Sequence, residues 1–154
     1  MKGNSKIMIS VFITWQGQVL LYCIGNKVMS PSWAGMGNRF DQAALDQAKQ
    51  AMLSKLEIVN SDLLSMDLRY VTMRYVDGEM RQNYYFFAET NHDLGFGPIG
   101  NMKWINFFDI PNMEIANGPR GILRHYLDVG RSNNRVYCGV MKKKGVAISE
   151  LEEF

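Results

Sequence analysis

Residues 33–59 constrain the fold more than any other part of this chain. They begin with Trp33 and a loop that contains Gly35 and Gly37, and they continue into a segment rich in alanine, leucine, glutamine, lysine and methionine, all of which favour helix. Asp41 stands at the boundary, where a short carboxylate can accept the first backbone N–H groups of a helix. We therefore predict a glycine loop followed by a helix.

The predicted helix is amphipathic. Its apolar residues recur at intervals of three and four, which places Leu45, Ala48, Met52 and Leu56 on one buried face. Its other face is polar and carries Asp46, Lys49, Gln50, Ser54 and Lys55. A helix of this kind needs an apolar surface to cover.

Two predicted β-hairpins, one on each side of this segment, supply that surface. Asp77-Gly78 is typical of a type I′ turn between residues 69–76 and 80–88, and Gln16-Gly17 joins residues 7–14 and 19–24. Alternation along the second hairpin predicts Tyr84 and Phe86 on one face and Tyr85 and Phe87 on the other. We expect one aromatic pair in the core, and the other either to pack as well or to line a base-stacking pocket or a dimer surface.

The remaining elements follow from turn and helix signals. We predict loops at residues 25–31 and 91–100, a turn at 60–62, a short strand at 102–107 and a helix at 119–129 that ends at Gly130. We expect its inner face to carry Ile122, Leu123, Tyr126 and Leu127. Residues 135–140 are predicted as the last strand, followed by a short charged tail.

The composition is that of an ordinary globular protein. The chain has 154 residues, of which 47% are hydrophobic, and a net charge of +2, which is too small to favour nucleic acid or a membrane surface. A single domain of this length can bury a sizeable core. Because we find neither a signal peptide nor a bilayer-spanning run, we expect a cytoplasmic protein with Cys23 and Cys138 reduced.

The order of these elements resembles the Nudix hydrolases, and among them the 8-oxo-dGTP diphosphatase branch. A hairpin, a tryptophan and glycine loop, a helix, a second hairpin, the segment GNMKWINFFDIPNM and a helix around GPRGILRHYLDVG follow one another from residue 7 to 141. The resemblance implies one α+β domain with the Nudix-type α/β/α sandwich around a central mixed β-sheet.

The family signature, G-x5-E-x7-R-E-U-x-E-E-x-G-U with U aliphatic, is degenerate here. Its glutamates bind Mg²⁺ or Mn²⁺, which activates a water to attack a diphosphate. If Met36 takes the glycine position, the glutamate positions hold Gln42, Ala51, Ser54 and Lys55. If Gly37 takes it, they hold Ala43, Met52, Lys55 and Leu56. Lys55 occupies a glutamate position in both alignments.

The acids that remain in this segment cannot replace the signature. They are Asp41, Asp46 and Glu57, and the last two are about 16 Å apart along a helix, too far to bind one ion. We therefore predict that metal-dependent hydrolysis is impaired or absent and that no metal or cofactor is required. The protein would instead bind a phosphate-bearing small molecule, such as a nucleotide.

Several residues are candidates for that binding. A helix N-terminus receives anions, and an arginine can clamp a phosphate, which makes Gly35, Gly37 and Arg39 candidates. Lys49 and Lys55 could add positive charge on the helix. Trp33 and Tyr84 are candidates for stacking on a base. His92 and His125 have no partner of a catalytic triad at a recognisable spacing, and we expect a surface and a packed histidine.

Two alternatives remain open. The protein could still be a hydrolase with a displaced Mg²⁺ or Mn²⁺ site, built from Asp41, Asp46, Glu57, Glu79, Glu89 or Glu114. It could also be a protein-interaction module or homodimer that uses an adaptable aromatic and methionine surface, with Met73, Met80, Met102 and Met113 as candidates.

Overall fold

A mixed β-sheet forms the centre of the computed structural model, which describes residues 5–33, 42–56, 58, 60–91, 101–142 and 145–150. Its main path runs in the order β3-β2-β1-β6-β5-β8-β9, while β4 pairs with β1 and β7 pairs with β2. The β1/β6 and β5/β8 pairs are parallel, and the other pairs are antiparallel. The strands are β1 Ser5–Trp15, β2 Gln18–Ile24, β3 Lys27–Met29, β4 Ser32–Trp33, β5 Leu63–Val76, β6 Glu79–Thr90, β7 Met102–Asn106, β8 Tyr137–Lys142 and β9 Gly145–Glu150.

Both predicted hairpins are confirmed, and their turns have the expected backbone. Gln16 and Gly17 have φ of 48° and 75°, and Asp77 and Gly78 have φ of 52° and 76°. Positive φ at both central residues is the geometry of a type I′ turn, whose twist matches that of the flanking strands. The β1–β2 register follows directly from its turn, and so does the β5–β6 register from Val76 to Tyr70, beyond which it shifts between Tyr70 and Leu68 and again between Ser65 and Leu63.

Two helices cover the two faces of the sheet, as the sequence predicts. Helix α1 is Gln42–Lys55 and helix α2 is Asn117–Asp128. The apolar face of α1 packs on one side of the sheet with Ile9 and Val11, and the predicted positions Leu45, Ala48, Met52 and Leu56 are all buried. Neither helix is long and apolar enough to cross a membrane, nor is any other helix of the described residues.

The aromatic residues of β6 divide between the two faces of the sheet. Tyr84 and Phe86 belong to the core under α1, and Tyr85 and Phe87 belong to the core under α2 with Ile122 and Leu123. The predicted alternation is therefore confirmed. Both pairs are in the core, because a helix covers each face and leaves all four side chains between 2% and 8% exposed.

Three sequence predictions differ from the structure. Residues 25–31 were expected to be a loop, but Gly25 adopts a φ of 55° and turns the chain back, so that β3 pairs with β2. The last strand was expected at 135–140, but β8 is Tyr137–Lys142. Residues 145–150 were expected in a charged tail, but they form β9, which pairs antiparallel with β8.

The segment that follows α2 is attached to the sheet by a buried arginine. Arg69 on β5 is 7% exposed, and its guanidinium donates to the carbonyls of Gly130, at 2.6 Å, and Arg135, at 2.9 Å. Gly130 itself is buried against the hydroxyl of Tyr70, so a Cβ at this position would collide with that oxygen. A glycine is needed here because the Tyr70 hydroxyl approaches the backbone closely, and not because the backbone makes a turn.

We expect Gly130→Ala to lower the free energy of unfolding by about 2 kcal/mol, because the added methyl overpacks the contact with Tyr70. Urea unfolding measures this. Tyr70→Phe removes the hydroxyl oxygen. In that background Gly130→Ala should therefore lower the free energy of unfolding by much less. Equal costs in both backgrounds would show that the contact with the hydroxyl is not the cause.

Candidate functional site

The sheet opens where β1 and β2 separate. Their pairing runs from Trp15 back to Ile13. Beyond it the same edge of β2 pairs with β3, while β7 pairs with the other edge of β2 from Gln18 to Tyr22. The edge of β1 is completed instead by the segment after β3, since Val11 donates its N–H to the Pro31 carbonyl at 3.1 Å and β4 pairs with Ile9 and Ser10. The two strands therefore form the sides of a cleft.

A cavity of about 420 Å³ occupies this cleft. The size lies within the range of small-molecule sites, roughly 300–1,000 Å³. Because the cleft passes between strands of the same sheet, residues from both helices reach it. Met52, Lys55 and Leu56 line it from α1 and its C-terminal end, and Pro119 lines it from α2.

One wall of the cavity is a row of side chains across three strands. Tyr22 on β2 is opposite Met29 on β3 and Met102 on β7, and all three line the cavity. An aromatic ring between two methionines offers a polarisable surface to a planar group. Ser30 and Pro31, which connect β3 to β4, continue this wall.

The other wall comes from β1 and β6. Met8 and Asn83 are register partners in the parallel β1/β6 pair, and both line the cavity. Tyr85 follows on β6, and burial raises the pKa of its phenol to about 12, an effect that a hydrogen bond with Thr72 partly opposes. Tyr85 is therefore a neutral hydroxyl at physiological pH, and none of the described residues that line the cavity is an acid.

Of the ligand-binding residues predicted from the sequence, the structure brings Lys55 to the cavity. Lys49 instead lies with its Nζ 5.4 Å from the ring centroid of Phe86, against the sheet face under α1. Tyr84 is buried in the core of that face and donates its hydroxyl to Gln82. Trp33 is described by its backbone, which pairs with Ile9. The other candidates, Gly35, Gly37, Arg39, Asp41 and Glu57, lie outside the described residues.

The described acids do not fit a divalent metal. Asp46 is exposed on α1 and accepts a hydrogen bond from Gln42 at 3.0 Å, and Glu79 pairs with Arg81 beside the β5–β6 turn. Glu89 lies at the far end of β6, and Glu114 lies before α2. Within the described ranges, no three histidine, cysteine, aspartate or glutamate side chains are grouped as a metal site. The described residues therefore do not form the carboxylate set that the signature would supply.

Sequence reasoning missed most of this site. Tyr22, Met8, Met29 and Asn83 were not candidates, and of the four methionines proposed as an adaptable surface only Met102 lines the cavity. The one sequence signal is the high methionine content of 11 residues, and it does not indicate which methionines line a common cavity. They meet because β1 and β2 diverge.

A second polar cluster lies under α2, and its residues Arg69, Tyr70, His125 and Tyr137 do not line the cavity. His125 Nδ1 is 2.8 Å from the Tyr70 hydroxyl, and its ring lies edge-on to Tyr70 and Tyr137. This confirms a packed, hydrogen-bonded histidine. Burial lowers the pKa of His125, Asp128 acts in the opposite direction, and Arg69 lowers the pKa further.

Comparisons with known proteins give a fold but no close relative. No family model matches the sequence, and no curated protein matches it. The MutT protein of Bacillus halodurans is similar in structure, with a TM-score of 0.60 and 15% identity over 94% of this chain and 97% of that chain. A Nudix hydrolase from Nitrosomonas europaea gives a TM-score of 0.60 and 14% identity, over 93% of this chain and 81% of that one.

A third similar structure is the Nudix domain of Shewanella oneidensis NrtR in complex with ADP-ribose. Its TM-score is 0.53 at 11% identity, and 86% of this chain and 90% of that chain are covered. The chain therefore has the Nudix-type fold that the order of its elements implies, an α+β architecture with a large mixed sheet. At this identity the likeness shows the fold alone, and the 8-oxo-dGTP branch stays a prediction.

The lowered pKa of His125 makes stability depend on pH. The folded chain binds a proton at His125 less readily than the unfolded chain does. We therefore expect the contribution of His125 to the free energy of unfolding to be complete above about pH 6.5 and to be lost as the pH falls through the lower pKa of the folded state. Urea unfolding between pH 7.5 and 5.5 measures the slope. His125→Gln should reduce it.

The other histidine of the chain provides the control. His92→Gln makes the same chemical change and should leave the slope as it is in the unsubstituted protein. A slope that His125→Gln does not change would show that acids and not His125 produce the pH dependence.

Proposed function

We propose that this protein binds a nucleotide or a related phosphate-bearing small molecule in the cleft between β1 and β2, without metal-dependent hydrolysis. One observation carries the proposal. Lys55 lies at the cavity, and either alignment with the Nudix signature places it where a metal-binding glutamate would stand. A positively charged side chain thus replaces a residue whose role would be to recruit a positively charged ion.

The substitution changes what the site can do. A divalent ion is held by several oxygen ligands and can activate a bound water. An ammonium group donates hydrogen bonds to phosphate oxygens and neutralises part of their charge, but it cannot generate the nucleophile in this way. Lys55 is exposed at the end of α1, so a phosphate can reach it from solvent. This chemistry favours binding over turnover.

The cavity fits the less polar part of such a ligand. Tyr22, Met29 and Met102 form an aromatic and thioether wall, and Met52 is fully buried behind it. A base or another planar ring can pack against this wall while its phosphates remain at the rim near Lys55. The similar Nudix domain of NrtR was solved with ADP-ribose, which has this combination of a planar base and a diphosphate.

The sequence before α1 offers further candidates for the proposal. Gly35, Gly37 and Arg39 precede this helix in the sequence, and a helix N-terminus with a nearby arginine suits a second phosphate contact. Trp33 and Tyr84 remain proposals for base contacts, as Lys49 does for phosphate. The lining of the cavity favours Tyr22 and Lys55 over Tyr84 and Lys49.

A thermal-shift panel of ADP, IDP, UDP, CDP and ADP-ribose, each with Mg²⁺ and with EDTA, tests the function. We expect at least one of these compounds to raise the melting temperature equally in both conditions, since ligands that bind only the folded state stabilise it. A shift that requires Mg²⁺, or release of phosphate or monophosphate from any compound, would favour the displaced-metal hydrolase. No shift at all would contradict the proposal.

We expect Lys55→Gln to raise the dissociation constant of the ligand about tenfold, because a solvent-exposed, charge-assisted contact with phosphate is lost. Isothermal titration calorimetry measures this. Lys103→Gln is the matched control, since Lys103 is exposed on β7 and does not line the cavity. A tenfold loss in Lys49→Gln but not in Lys55→Gln would place the phosphate on the other side of α1.

A further inference from the structure

The amide of Asn83 has a fixed orientation in the cavity wall. Its Oδ1 accepts a hydrogen bond from the Ser10 hydroxyl at 3.1 Å, and its Nδ2 lies 3.9 Å from the sulfur of Met8. Ser10 is fully buried and is not among the residues that line the cavity, whereas Met8 and Asn83 are. The acceptor end of the amide is therefore turned into the protein, and the donor end lies on the cavity side.

The donor end has a poor partner within the protein. A thioether sulfur is a weak acceptor, and the 3.9 Å contact is long even for sulfur. Asn83 is only half-buried, so its amide hydrogens can also meet water or a ligand. A carbonyl oxygen would be a much better partner than the sulfur, and a second donor group would be a worse one.

We propose that Asn83 makes the site selective for nucleotides by the group at purine position 6 or pyrimidine position 4. Bases with a carbonyl at this position, which are hypoxanthine, guanine and uracil, would bind more tightly than adenine and cytosine, which carry an amino group. This inference rests on the proposed function. The exocyclic group at purine position 6 or pyrimidine position 4 is remote from the sugar, so it enters the cavity first when the phosphates stay near Lys55.

The contact with Ser10 is what gives this selectivity. An asparagine whose two amide ends both face a base can recognise adenine, because it donates to N7 and accepts from the amino group. Here Oδ1 points to Ser10, and only N–H donors are presented. Ser10 is thus a positioning residue, and Asn83 is the residue that would contact the ligand.

Dissociation constants for two pairs of nucleotides test the inference. IDP and ADP differ at the purine 6-position and its neighbour, and UDP and CDP differ in the same way at the pyrimidine 4-position. We expect IDP to bind about five to ten times more tightly than ADP, and UDP more tightly than CDP, by calorimetry in EDTA. The ratio within a pair is the readout, since it cancels effects on phosphate binding and on overall charge.

Four variants separate base selection from structural support. Asn83→Asp presents an acceptor in place of a donor and should reverse the ratio, while Asn83→Ala should bring it close to one. Ser10→Ala should reduce the ratio, because the amide is no longer held in one orientation. Gln82→Glu is the matched control: Gln82 also donates to a methionine sulfur, that of Met80 at 3.4 Å, but it does not line the cavity.

Each outcome decides between the two proposals. Equal affinities within both pairs, or a ratio that Asn83→Asp leaves unchanged, would overturn the role of Asn83 while Lys55-dependent binding still supported the proposed function. A ratio that changes as much in Gln82→Glu as in Asn83→Asp would also overturn it. Failure of all four nucleotides and of ADP-ribose to bind would overturn both proposals.

Discussion

The separation of β1 from β2 is the constraint on which the site depends. Backbone N–H and C=O groups in a sheet interior must be paired, so β2 can leave β1 only if another segment takes its place. Pro31 and β4 do so, and they restore the hydrogen bonds at Ile9, Ser10 and Val11. The sheet therefore opens while these backbone groups of β1 stay hydrogen-bonded, and the opening is the cavity.

The identity of the charged residue at that opening decides which chemistry is available. A metal centre would need several carboxylates on one helix face, and α1 presents Lys55 there, whereas Asp46 is about two and a half turns away on the same helix. A lysine at the rim and an apolar wall of methionine and tyrosine together suit a ligand with one anionic and one planar end. The fold is shared with hydrolases, but fold alone does not decide function.

Two polar clusters of the molecule differ in how completely their donors and acceptors are hydrogen-bonded. Under α2, Arg69 is paired with backbone carbonyls and His125 with Tyr70, so this cluster attaches α2 and the following segment to the sheet. In the cavity wall, one end of the Asn83 amide is well paired and the other meets only sulfur. Satisfied groups stabilise the fold, and a donor with a weak partner remains available to a ligand.

Most helices and strands, and the side chains on each of their faces, could be predicted from local sequence patterns. Positive φ at Gln16-Gly17 and Asp77-Gly78, the three-and-four spacing along α1 and the alternation from Tyr84 to Phe87 are local properties, so they could be predicted and are confirmed. Strands β3 and β9 were missed because each is short and is stabilised mainly by a neighbour, β2 or β8, that sequence patterns do not identify.

Which residues line the cleft depends on how the strands pair, and this is seen only in the tertiary structure. Met8, Tyr22, Met29 and Asn83 are distant in sequence or lie on different strands, and nothing in their local patterns distinguishes them from core residues. Lys55 was predicted because it lies within a recognisable signature segment, whereas the orientation of Asn83 depends on the parallel pairing of β1 with β6. Local patterns determine elements, but the register between strands brings side chains together.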